Sequence, residues 1–91
     1  MESLIVAINT DPDALSKMAQ ELLRLSKTLQ EAPRRVRSQL NSSQWNDPVR
    51  KNFEQLLSDL ERNARNMSQS ADEGARMLKA KEQQLRAYLG R

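Results

Sequence analysis

Cysteine and histidine are both absent from this 91-residue chain. Without cysteine there is no disulfide framework and no thiolate chemistry. Without histidine, a transition-metal site has only carboxylates to draw on, an uncommon donor set for zinc or copper. No nucleophile–base set can be assembled either, short of the rare Ser–Lys kind. Glycine is scarce, with 2 residues, and no Gly-rich phosphate loop occurs. Aromatics make up 3% of the chain, too few for an ordinary mixed α/β core. No apolar run approaches the roughly 20 residues that span a bilayer. The apolar stretch Leu4–Ile8 has no preceding Lys or Arg and is too short for a signal-peptide core. These absences predict a protein that is not an enzyme, with no cofactor, no metal, no small-molecule substrate and no membrane span. It is expected to stay in the cytoplasm or to leave by a route that needs no cleaved signal.

Charge is what the chain has in quantity: 30% of residues are charged, 15 basic against 12 acidic, for a net +3. The signs are interspersed except at Arg34, Arg35 and Arg37. No aromatics interleave those arginines, so they are read as a solvated face and not as a nucleic-acid site. The abundance of Leu, Gln, Arg, Glu and Lys points to long helices. A chain of this length is expected to be a single domain, 1–91, whose lone core would be marginal.

Two helix starts are written plainly. Asp11 can cap free amide groups, Pro12 suits the first helical position, and Asp13 favours the positive end of the helix dipole. Asp47-Pro48 repeats the signal. The first helix is predicted over about 12–41, the second over about 48–89, with a polar turn at 42–47. In the first, Leu15, Met18, Leu22, Leu25, Leu29, Ala32, Val36 and Leu40 alternate steps of three and four, the spacing of a packed seam. Pro33 falls inside it, and a kink is expected there. In the second, Phe53, Leu57, Leu60, Ala64, Met67, Ala71, Gly74, Leu78, Lys81, Leu85 and Tyr88 follow the same rhythm. Lys81 is expected to snorkel at the open end. Glu61 with Arg65, Asp72 with Arg76 and Glu82 with Arg86 lie four apart in the favoured acid-first order.

The expected fold is therefore all-α: an antiparallel two-helix hairpin. At 1.5 Å per residue the helices span roughly 45 and 60 Å, so the second should overrun the first at the end opposite the turn. That overhang would carry Leu78, Leu85, Tyr88 and Leu89, with Leu4–Ile8 at the same end. Beside the main stripes lie Ala19, Leu23, Leu56, Ala75, Met77 and Ala80. A second hairpin covering them would complete a four-helix bundle. At about 25 cal/mol per Å², about 600 Å² of further apolar burial offsets on the order of 15 kcal/mol before entropic costs. Self-association or pairing with a related chain is expected.

The turn carries a resemblance. Trp45-x-Asp47, followed by Phe53 eight residues after the tryptophan and flanked by two helices, resembles the WXG family of Esx-type proteins. Asp11-Pro12-Asp13-Ala14-Leu15 is similar to the start of many actinobacterial members, and the likeness covers roughly Asp11 to Tyr88. It implies a helical hairpin associated with type VII secretion, forming homodimers or heterodimers. The role implied is a substrate exported without a cleaved signal, or a chaperone-like partner of a larger effector's N-terminal domain. Asp47 stands where the family has glycine, and Tyr88 is not followed in this sequence by the acidic residue of a Tyr-x-x-x-Asp/Glu signal. Two other readings are a hairpin that polymerises, as secretion-needle subunits do, and a basic module for nucleic acid or anionic membrane.

Overall fold

A computed structural model describes residues 11–90. Two helices pack against each other, α1 (Pro12–Ser42) and α2 (Pro48–Leu89), and no strand occurs among the described residues. The apolar stretch Leu4–Ile8 lies outside the described residues.

Both helices begin as Asp-Pro pairs dictate. The Asp11 carboxylate accepts from the Asp13 amide at 2.9 Å, and that of Asp47 from the Val49 amide at 2.9 Å. Each satisfies an amide that the helix itself cannot pair. α1 continues through Pro33 without a break and ends at Ser43, whose amide donates to the Leu40 carbonyl at 3.2 Å. The next residue, Gln44, has φ 58°, the left-handed setting that commonly follows a helix end. The principal extents are 66 × 21 × 14 Å. A helix with side chains is about 10–12 Å across, so the thickness is that of a single layer and both faces of the hairpin are open.

The expected overhang is corrected by the register. Arg86 Nη2 reaches the Asp13 carboxylate at 2.8 Å, so α2 passes the start of α1 by little more than Ala87–Leu89. Leu85 is buried and Leu78 half-buried there, leaving Tyr88 and Leu89 exposed. The surplus length of α2 lies at the turn instead. Pro48–Glu54 runs past the end of α1 and alongside the connection, where Arg50 Nη1 donates to the Trp45 carbonyl at 2.7 Å. Helix lengths alone do not say at which end a surplus falls; the cross-helix contacts of Arg86 with Asp13 and of Arg37 with Glu61 fix it.

The inter-helix contact is also not the one the largest apolar residues suggest. Leu15, Leu40, Leu57 and Leu85 are buried in it, and Leu22, Leu29 and Leu78 are half-buried. Every second position, however, is shifted by one residue. Ala19 is buried where Met18 was expected, and Ser26 where Leu25 was expected. Arg37, not Val36, turns toward α2. On α2 the inward positions are Glu61, Ser68 and Glu82 in place of Leu60, Met67 and Lys81, and Ala75 is buried beside a half-buried Gly74 that also faces α1. Ala19 and Ala75, read from sequence as flanks, thus sit in the seam. The exchange brings small residues to the contact and lets the helices approach closely: a Cβ added at Gly74 would lie 3.1 Å from Leu22 Cδ1.

Candidate partner-binding face

The residues displaced from the seam collect on one side of the hairpin. Met18, Leu25 and Val36 of α1 and Leu60 and Met67 of α2 are each two-fifths or more exposed. A groove of about 350 Å³ runs between the helices, walled by Leu29, Ala32, Val36, Leu60 and Met67 with Leu57 and Ala64 beneath. A second, of about 400 Å³, continues past Leu22, Leu25 and Ala71 toward the open end. The polar residues lining them are Thr28, Asn63, Asn66 and Ser70, and no charged side chain lines either groove. In a chain that is 30% charged, this is a large apolar face with a neutral rim.

The other side carries the cross-helix ties, and its exposed residues are mostly polar, with Leu23 an apolar exception. Arg37 grips Glu61 with two parallel hydrogen bonds, Nε to Oε2 at 2.7 Å and Nη2 to Oε1 at 2.8 Å. Such a fork is directional as well as charge-assisted. Glu61, expected to pair with Arg65 along its own helix, is thus turned across to α1. The Arg37 guanidinium holds the Glu61 carboxyl below the usual carboxylate range, and Glu61 in turn raises Arg37. At mid-hairpin, Ser26 Oγ and Ser68 Oγ are 2.6 Å apart, and Gln30 Nε2 donates to Ser68 Oγ at 2.9 Å. No buried side-chain polar atom among the described residues lacks a partner.

At the open end Arg86 joins both helices, with Nη2 on Asp13 and Nε on Glu82 Oε2, each at 2.8 Å. Its hydrogen bonds lower both carboxyls, and Lys79 adds to the effect on Glu82. A carboxyl lowered on folding contributes stability above its unfolded pKa and loses it as pH falls through the folded value. The urea midpoint should therefore hold steady from neutral pH down to about pH 4 and drop below it. Arg86→Gln should lower the neutral plateau and flatten the acid limb; an unchanged pH profile in that variant would assign the acid loss to other carboxylates.

The turn residues come together as well. Trp45 and Phe53 ring centroids are 5.8 Å apart with planes tilted by 42°, and Asp47 caps α2 beside them. Both rings are half-buried. Arg50, which the sequence did not single out, fastens this corner through the Trp45 carbonyl and Glu54. Ser26, Gln30 and Ser68 were missed too. The available signal was the strict seven-residue spacing of Ala19, Ser26, Pro33 and Leu40, and of Glu61, Ser68, Ala75 and Glu82.

Of the three clustered arginines, Arg37 is held by Glu61 and Arg35 lies 3.9 Å from Glu31. The crevice along α2 lined by Lys51, Glu54, Asp59 and Arg62 mixes both signs. No helix among the described residues is long and apolar enough to cross a membrane. Compared with family models, curated proteins and solved structures, the chain matches none of them.

Proposed function

We propose that this chain is a non-enzymatic helical hairpin that binds a second helical hairpin through its apolar face and so completes a four-helix bundle. The partner is a second copy, a related hairpin or the N-terminal helical domain of an effector. The role is that of a WXG/Esx-like type VII secretion substrate, leaving without a cleaved signal, or of a cytoplasmic chaperone-like partner. The observation that carries this reading is the line of large apolar side chains, Met18, Leu25, Val36, Leu60 and Met67, left exposed around a neutral-rimmed groove. An apolar core with an uncharged margin is the pattern of a partner-binding surface. The Trp45–Phe53 corner at the turn agrees with the Esx-like form of the proposal.

Absolute mass by light scattering, across a hundredfold concentration range, tests it. A plateau at two chains supports self-pairing. A single chain that reaches a one-to-one complex only with a related hairpin or effector domain supports hetero-pairing. Open-ended growth replaces the reading with the polymerising, needle-like one. Salt-sensitive retention on DNA, without change of mass, replaces it with the basic-module one.

A further inference from the structure

The three-four spacing of this chain describes two possible seams, not one. On α2, Leu57, Glu61, Ala64, Ser68 and Ala71 form the contact that is made, while Leu57, Leu60, Ala64, Met67 and Ala71 would form a more apolar one with the same rhythm. α1 offers the same choice between Ser26 and Leu25 and between Arg37 and Val36. Neighbouring residues are about 100° apart on a helix, so moving every second position by one residue turns the seam by about 50°. Turned that way, the lone hairpin would hide Leu25, Val36, Leu60 and Met67, while Leu23, seven residues before Gln30, would stay exposed. By apolar area alone that setting is the better one for a single chain.

What opposes it is a set of cross-helix ties on the side away from the groove. Gln30 donates across to Ser68 Oγ at 2.9 Å, and the Ser26 and Ser68 hydroxyls each lie 3.3 Å from the other serine's backbone carbonyl. Arg37 forks onto Glu61, and Arg86 reaches Asp13. Gln30, Arg34, Glu61 and Arg65 line a separate crevice of about 130 Å³. Arg34 and Arg65 lie two positions, about 200°, from the groove residues Ala32 and Asn63. Turning either helix to bring Leu25 or Met67 inward would pull all three ties apart.

We propose that the Ser26–Gln30–Ser68 layer, with the Arg37–Glu61 pair, is a rotational lock that keeps the apolar seam of Leu25, Leu60 and Met67 facing outward. These are positioning residues: they act on a partner only through the orientation of Leu25, Leu60 and Met67. The inference rests on the hairpin's own contacts alone.

The absence of native cysteine makes it directly testable. Nitroxide labels at Thr28→Cys and Asn63→Cys, on opposite rims of the groove, report the rotation as a distance. Labelled chain is diluted with unlabelled chain, so that only distances within one hairpin are read. In a variant carrying S26A, Q30A, S68A, R37M and E61L, the expected result is a mean distance shorter by roughly 5–10 Å, since 50° on a helix of about 5–6 Å radius moves each of the two labels by about 5 Å. The urea midpoint should stay level or rise. An unchanged or merely broadened distance, with a lower midpoint, would make the ties ordinary core contacts and overturn the lock. R37M with E61L alone keeps the serine layer and should shorten the distance less, in the same direction. Loss of helix in the full variant without shortening in this milder one overturns the proposal equally.

Discussion

Leu60→Asp is expected to leave the dilute chain as helical as the parent while removing its ability to gain mass with concentration. Leu60 is 50% exposed on the wall of the groove, so in a single hairpin the carboxylate remains in water and disturbs little. In a bundle it is carried into an apolar contact with no cation to meet it, because no charged residue lines either groove. Truncating or charging a central interface residue costs about 2–4 kcal/mol, which is roughly 30- to 1000-fold in dissociation constant. The comparison is made at matched concentration by circular dichroism and light scattering together. Loss of helix signal at dilutions where the parent is a single chain would place Leu60 inside the hairpin and remove the case for an outward face.

Leu57→Ala is expected to do the opposite: to damage the hairpin itself, at every concentration. Leu57 is 1% exposed and is the largest fully buried side chain. Its loss should cost about 2–5 kcal/mol through lost burial and the cavity left behind. At roughly 0.05–0.15 kcal/mol per residue, a chain of 91 residues has about 5–14 kcal/mol in all, so this loss is a large share of it. A large fall in helix signal and urea midpoint should follow. Met77→Ala, at a residue 68% exposed, should change the stability by no more than about 0.5 kcal/mol. Equal effects of the two substitutions would mean that α2 is turned differently on α1.

The two helices and their Asp-Pro starts were legible in the sequence because capping is local: a carboxylate, a proline and the next free amide suffice. The seam was legible only in part. Leu15, Leu57 and Leu85 face the other helix, but a three-four rhythm does not distinguish Leu60 from Glu61 or Met67 from Ser68, and apolar character alone favours the wrong member of each pair. That choice assumes a chain that satisfies its own apolar surface. Here the decision is made by contacts between residues far apart in sequence, the Ser26–Ser68 and Arg37–Glu61 pairs, which no pattern within one helix announces. The aromatic corner was legible from Trp45, Asp47 and Phe53, whereas Arg50 was not, since its partner is a backbone carbonyl across the turn.

The Arg86–Asp13 pair has a geographical consequence. It fixes the beginning of α1 and the end of α2 at one pole of a rod 66 Å long, with the Trp45 corner at the other. A segment joined at either end of the hairpin departs from the same pole and in the same neighbourhood. A tether, a cargo or a support attached there leaves the aromatic pole unencumbered, and the whole length of the groove lies between anchor and tip.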